Sequence, residues 1–228
     1  MKDRRFKPMM MTASMRAYIR RLKTMTRRLL NPQPEHAAAM TRGPDGKWYR
    51  WLDNGKHLDP HNIPSWAPPY SPGDLLWIKE PWASVAANNI CHPGDDYIVY
   101  RATDPDWSEY EGWKWKSAMF MPKAACRHIA EVTEVHSPEQ VQEISERDAE
   151  CEGCRSDNAY TFEHEPMGHV ATAAERFHDL WDSIHKKPER RWDANPWVWP
   201  IVFRPLWGDE LAEALRELSR ALPRRRGR

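Results

Sequence analysis

The chain has 228 residues, a formal net charge of +1, 13 tryptophans and 20 prolines. This length fits one domain with elaborations, and the small net charge excludes a globally basic coat protein for nucleic acid, so any basic function must be local. The sequence has no run of about 18 apolar residues, which excludes a transmembrane helix. Its basic start lacks a long apolar stretch and its four cysteines are few, so we expect a reduced, cytoplasmic protein.

The beginning of the chain predicts a helix, a strand and a hairpin. Residues 10–22 have apolar side chains at i, i+3, i+4 and i+7, and Thr12 or Ser14 can cap this helix. Residues 24–30 are typical of a strand, which the prolines of residues 31–34 end. Asn54 and Gly55 predict a two-residue hairpin turn.

The remainder predicts short strands and further helices. Strands are expected at Leu75–Lys79, 96–102, 126–137 and 195–206. Helices are expected to start at Ser137 and Ser145, to cover residues 172–185 with Phe177, Leu180, Trp181 and Ile184 on one face, and to include Leu211, Leu215 and Leu218. Short strands, a few helices and many turns indicate the α+β class, with a small β-barrel or rolled sheet beside helices.

Cys151 and Cys154 form a C-x-x-C pair near a predicted helix end. Zinc needs about four ligands and there is no second such pair, although His164, His169 or His178 could complete a site. We favour two reduced thiols, and we predict neither a metal nor another cofactor.

Two basic regions leave alternatives open. Residues 113–116 and Trp107 interleave tryptophans with lysines, which suits base stacking and phosphate neutralisation, but equally a strand with tryptophans inward and lysines outward. The basic end at residues 224–228 could contact phosphates, although a solvated terminus is the simpler interpretation.

Lys23 and Thr26 lie close together in "RLKTMTRRLL". A buried lysine can act as the base for a threonine nucleophile, and a carboxylate from elsewhere would then be needed to orient it. The alternative is an ordinary strand edge, because such a short pattern is common.

Several segments occur in a distinctive order: KTMTRRLLNPQP, YSPGDLLWIKEPWA, YRAT, WKWKSAMFMPKAACR, EVTEV, EISERDAECEG, FHDLWDSIH and WDANPWVWPIVF. Their order and spacing, over roughly residues 6–203, resemble the ASCH domain proteins of bacteriophages and prophages. The resemblance implies a PUA-like fold, a small β-barrel with flanking helices and loop insertions. Residues 1–207 would be one such domain with insertions near 35–69 and 154–171, and residues 208–228 a C-terminal helix and basic tail.

The resemblance also implies a role connected with RNA or nucleotides. Small bacterial ASCH enzymes deacetylate N(4)-acetylcytidine, and their signature matches Lys23, Thr26 and Glu152 of this chain. By that analogy Thr26 attacks the acetyl carbonyl, Lys23 accepts and returns a proton, and Glu152 holds the lysine or polarises the site. The chain departs from the pattern at Arg21 and Leu22, where the family usually has glycine and arginine, so the turn entering the site is expected to differ.

Three functions follow as expectations. The favoured one is binding of RNA or a modified nucleoside in a cleft, with contacts from Arg27, Arg28, Glu80, Trp82 and Lys116. For Glu80 the alternative is a surface ion pair with Lys79 or Arg101. The second function is the amidohydrolase reaction, and the third is a phage accessory protein that binds a host protein through its tryptophan-rich surface. In each case the protein is expected in the cytoplasm of a bacterial host cell, away from membranes.

Overall fold

The computed structural model describes residues 5–34, 37, 39–51, 65–85, 97–104, 114–155 and 171–221. Its strands are β1 Phe6–Met10, β2 Met25–Leu29, β3 Ala39–Arg42, β4 Trp48–Trp51, β5 Ser65–Trp66, β6 Leu75–Lys79, β7 Trp82–Val85, β8 Tyr97–Tyr100, β9 Ile129–Val135, β10 Glu139–Gln140 and β11 Trp197–Pro205. Its α-helices are α1 Met15–Ile19, α2 Glu146–Cys151, α3 Ala173–Ile184 and α4 Gly208–Arg220. This mixture confirms the predicted α+β class.

The chain forms two compact units, and each is built from separate stretches of sequence. The first unit comprises Met1–Arg21, Gly73–Glu131 and Arg204–Arg228, and the second comprises Leu22–Pro72 and Val132–Phe203. Each unit therefore depends on contacts between residues that are distant in the sequence.

In the first unit, β1 pairs in parallel with β6, from Phe6 opposite Leu75 to Met10 opposite Lys79. β6 also pairs antiparallel with β9, and β7 pairs antiparallel with β8. The apolar run of β6 is buried, as predicted, and α4 covers part of it by packing Ala214 and Leu218 into a cluster with Leu75. The regularly spaced leucines near the C-terminus, Leu211, Leu215 and Leu218, thus belong to a helix that packs on a sheet.

In the second unit, β11 lies between β2 and β10 and pairs antiparallel with both. β3, β4 and β5 form a separate antiparallel sheet. The helix α3 begins with a capping box between Thr172 and Glu175, and it buries Phe177 and Trp181 against Val198 of β11. The helix predicted at residues 172–185 is confirmed, but Ile184, at its last turn, is 47% exposed.

The N-terminal helix is shorter than predicted. The strand β1 includes Met10, the helix begins only at Met15, and the left-handed conformation of Arg21 follows its end at Ile19. Ser145 caps α2 by accepting a hydrogen bond from Asp148 N, as predicted. Ser137 does not start a helix, because Glu139 and Gln140 pair with β11 and a short 3-10 turn follows them.

Some expectations concern residues outside the described ranges. They include the Asn54-Gly55 turn, most of the predicted insertions and the basic end at residues 224–228. Within the described ranges, every helix is too short or too polar to cross a membrane.

Candidate functional site

The candidate site is assembled at the C-terminus of α2. Glu152 ends the helix, and Gly153 follows with a φ of 95°, a left-handed conformation that glycine adopts without a Cβ clash. Gly153 N donates to Glu150 O at 2.9 Å, and Cys154 N donates to Ala149 O at 3.1 Å. These two bonds form a Schellman motif, which fixes the position and direction of Glu152.

Two further groups complete the hydrogen bonding of this helix end. Thr24 N donates to Cys151 O at 2.8 Å, and Lys23 Nζ donates to Glu152 O at 2.9 Å. The last carbonyls of a helix carry a partial negative charge, so an ammonium group is stabilised there. One role of Lys23 is therefore to cap α2.

Capping does not account for the side chain of Glu152. Its Oε2 accepts a second hydrogen bond from Lys23 Nζ at 2.5 Å, and both side chains are 3% exposed. Burying these charges is favourable only because each neutralises the other. We call these two side chains the Lys23–Glu152 pair.

The Lys23–Glu152 pair has unused hydrogen-bonding capacity. Two of the three N–H groups of Lys23 are engaged by Glu152, which leaves one for another acceptor. The buried Glu152 Oε1 has no hydrogen-bond donor among the described residues, and Arg27 Nη1 lies 3.6 Å from it. The pair therefore presents a buried donor beside a buried acceptor.

Arg27 lies within a group of carboxylates. Its guanidinium is fully buried, with Nη2 2.7 Å from Glu139 Oε1 and 2.9 Å from Asp148 Oδ2. Its Nε also donates to Glu139, at 2.8 Å. We predicted that Arg27 contacts phosphate, but the structure instead engages it with carboxylates, so a phosphate would have to displace them. Neither Glu139 nor Asp148 was predicted as a site residue, although Asp148 stands one helical turn before Glu152.

Thr26 and Arg28 lie on the other face of β2 from Arg27, because side chains alternate along a strand. In the register with β11, Thr26 is opposite Ile201 and Arg28 is opposite Trp199. Thr26 is 5% exposed. Its hydroxyl makes no hydrogen bond to the Lys23–Glu152 pair within the described contacts.

Arg28 lies in an environment that disfavours its charge. Burial lowers the pKa of its guanidinium, while Tyr70 and Glu152 act in the opposite direction. Arg28 is therefore close enough to the Lys23–Glu152 pair to interact with it electrostatically.

Glu80 belongs to the first unit, and its ion-pair partner differs from both predicted partners. Arg127 binds it through two parallel hydrogen bonds, Nε to Oε1 at 2.8 Å and Nη2 to Oε2 at 2.9 Å. Glu80 is completely buried, and the guanidinium of Arg127 stacks on Tyr100 with its carbon 3.9 Å from the ring centroid. Because its carboxylate already forms this bidentate pair, Glu80 is part of the first unit's interior.

Trp82 and Lys116, also in the first unit, contact each other. Their backbones form an isolated bridge, and Lys116 Nζ lies 4.6 Å from the centroid of the Trp82 ring. Trp82 is only 8% exposed and packs with Met121 and Ala125. Base stacking on Trp82 would therefore require this packing to open.

The structure favours the inward-facing interpretation for part of the tryptophan–lysine segment. Trp115 packs against Ala83 and Val99, whereas the lysines on either side are exposed. Trp107 and Trp113 lie outside the described residues.

The cysteines of the C-x-x-C pair are free thiols. Cys154 is buried in the apolar cluster beneath α3, and burial raises the pKa of its thiol to about 12, so it is not a reactive nucleophile. No group of three metal-binding side chains occurs among the described residues, which include Cys151 and His178. His164 and His169 lie outside those residues.

Arg21 has the left-handed conformation that glycine favours. Its φ is 62°, and its N–H donates to Tyr18 O at 2.9 Å to end α1. The guanidinium stacks on Trp207, 4.6 Å from the ring centroid.

Arg21→Gly is expected to change the free energy of unfolding by less than about 1 kcal/mol, because relief of the left-handed strain offsets the lost stacking. Arg21→Val is expected to cost about 2 kcal/mol, since a β-branched side chain fits this conformation poorly. Urea denaturation measures both. Equal effects of glycine and valine would show that the backbone conformation at this position is unimportant.

No family model matches this chain, and neither the curated proteins nor the solved structures provide a match.

Proposed function

We propose that this is an ASCH-type protein of the PUA-like superfamily that binds a nucleoside or nucleotide, free or within RNA, at the Lys23–Glu152 pair. The observation that carries the proposal is the buried pair, with Nζ and Oε2 2.5 Å apart and with hydrogen-bonding capacity left on both groups. The resemblance of the segments around both residues to ASCH proteins supports the same site.

The chemistry of the pair suits the edge of a nucleobase. A third N–H of Lys23 requires an acceptor, and Glu152 Oε1 requires a donor. Cytosine presents an amino donor next to a ring-nitrogen acceptor and can satisfy both groups, whereas the corresponding edge of uracil has an acceptor where the amino group would be. We therefore expect cytidine-type ligands to bind more tightly than uridine.

Deacylation of an acylated amino group is a second candidate function, and the match of Lys23, Thr26 and Glu152 to the signature of the ASCH amidohydrolases supports it. Thr26 lies three residues after Lys23, and its hydroxyl is not engaged by the pair. In this reaction Lys23 first passes a proton to Glu152, and the neutral lysine then accepts the hydroxyl proton while Thr26 Oγ1 forms a bond to the acyl carbon. The carbon–nitrogen bond then breaks and the amine takes that proton. Water cleaves the resulting ester and releases the acid.

One experiment tests both functions. N(4)-acetylcytidine, cytidine and uridine are titrated into the protein by calorimetry, and absorbance follows loss of the acetylated nucleoside. The wild type should bind the cytidines, and Thr26→Val should bind equally well without turnover. The double variant Lys23→Met with Glu152→Leu should fold, because it strands no charge, but should lose binding by about 100-fold.

The double variant decides the outcome. Nucleoside binding that survives it would exclude the Lys23–Glu152 pair as the ligand site. Turnover that survives Thr26→Val would exclude the threonine as nucleophile while leaving binding in place. Absence of binding by the folded wild type would remove both functions.

A further inference from the structure

Met119 and Phe120 form an apolar projection on the first unit. Their exposed fractions are 59% and 72%, the largest among the large apolar side chains of the described residues. Two adjacent side chains of this kind are unusual on a surface, since burial of each would be favourable.

The turn that carries them is held firmly. Residues 118–120 form a 3-10 turn in which Ser117 Oγ accepts a hydrogen bond from Met119 N. Ala118 and Met121, on either side of the projection, are 1% and 2% exposed. Lys79 Nζ donates to Met119 O at 2.5 Å. The projection is therefore pre-organised, and ordering it on binding carries little entropic cost.

The surroundings of the turn are basic. Residues 114–128 contain Lys114, Lys116, Lys123 and Arg127 but no aspartate or glutamate. Aromatic rings hold the ammonium groups of three nearby lysines: Lys116 is 4.6 Å from the Trp82 ring centroid, Lys79 is 5.3 Å from that of Trp77, and Lys123 is 5.5 Å from that of Phe6. The exposed Phe120 thus lies on a segment whose charged side chains are all basic.

We propose that this surface binds single-stranded nucleic acid, with Phe120 stacking on a base and Lys79, Lys116 and Lys123 contacting phosphates. Exposed aromatic side chains flanked by cations bind single strands in this way, with little preference for sequence. This surface belongs to the first unit and the Lys23–Glu152 pair to the second, and the proposal does not depend on nucleoside binding at the pair.

Charge and area favour this occupant over the alternatives. An acidic peptide would satisfy the lysines but would give Phe120 no planar partner. A lipid surface requires a broad apolar face for stable binding, and two side chains provide little area. A nucleotide combines a planar ring and a phosphate at short spacing, which fits one ring beside several ammonium groups.

The test is fluorescence anisotropy of labelled oligo(dT) and oligo(U) of roughly 12 nucleotides, titrated with the full chain at several salt concentrations. The wild type should bind with an affinity that falls steeply with salt. Phe120→Ala should weaken binding about tenfold with the salt slope unchanged, because it removes stacking but no charge. Lys116→Gln should reduce the slope by about one unit.

Ile184→Ala is the matched control, since Ile184 is 47% exposed but lies on α3 of the second unit. It should leave oligonucleotide binding unchanged. Equal binding by the wild type and Phe120→Ala, or no binding by the wild type, would overturn the proposal. Phe120-dependent sedimentation with anionic vesicles, without oligonucleotide binding, would also overturn it and assign the surface to lipid. Failure of nucleosides to bind at the Lys23–Glu152 pair would not affect this proposal, because the two sites are tested with different ligands and different variants.

Discussion

Replacement of Arg27 by methionine is expected to lower the free energy of unfolding by about 3–5 kcal/mol. The side chain is fully buried, and its removal leaves the carboxylates of Glu139, Asp148 and Glu152 near one another without their shared cation. Lys23 remains beside Glu152 but does not reach the other two within the described contacts. Urea denaturation, with the midpoint and slope fitted together, measures the loss.

Arg204→Met is the matched control for this experiment. Arg204 also binds two carboxylates, Glu131 at 2.7 Å and Glu210 at 2.6 Å, but its side chain is 48% exposed. Water can solvate both carboxylates after the substitution, so the expected loss is below about 1 kcal/mol. Equal losses in the free energy of unfolding would show that burial does not account for the effect of Arg27→Met.

The Glu80–Arg127 ion pair of the first unit should respond unequally to loss of each partner. Arg127→Leu is expected to cost about 3–5 kcal/mol, because it leaves the completely buried Glu80 carboxylate without a cation. Glu80→Gln is expected to cost less, about 2 kcal/mol, because the side chain of Arg127 is 28% exposed and can turn toward water. Thermal and urea denaturation of the two variants measure the difference.

A third variant distinguishes the effect of the unpaired charge from the effect of lost packing. The double variant Glu80→Leu with Arg127→Met removes both charges, so it should recover much of the stability lost in Arg127→Leu. If the double variant were as unstable as the worse single variant, the loss would come from packing against Tyr100 and not from a stranded charge.

Elements with strong local signals were predicted correctly. β6 follows a proline–glycine turn and is a short apolar run, and its bounds agree with the prediction. The helix α3 was predicted because Phe177, Leu180 and Trp181 recur at the spacing of one helical face. In both cases the information lies within a single strand or helix.

The N-terminal helix shows why other elements were not predictable. The methionines at 9, 10, 11 and 15 fit a helical pattern as well as a strand. What decides the outcome is the parallel pairing of β1 with β6, whose residues come much later in the chain. A window of local sequence contains no information about that partner.

The candidate site was predictable to different extents. Local sequence gave Lys23 and Thr26 as one interpretation among several, and the resemblance to ASCH proteins added Glu152. Glu139 and Asp148 could not be paired with Arg27 from sequence, because 112 and 121 positions separate them from it. Fold-level contacts of that kind depend on strand register and helix placement, which local patterns do not specify.

The capping of α2 by Lys23 has a consequence for the synthesis of the chain. The helix has six residues, far below the roughly 12–15 at which an isolated helix becomes even marginally stable in water. The ammonium group that caps its C-terminus belongs to Lys23, which precedes Glu152 by 129 positions. During synthesis Lys23 therefore leaves the ribosome before residues 146–153 have been made. The Lys23–Glu152 pair cannot form before that point, and a fragment that ends before Glu152 cannot contain it.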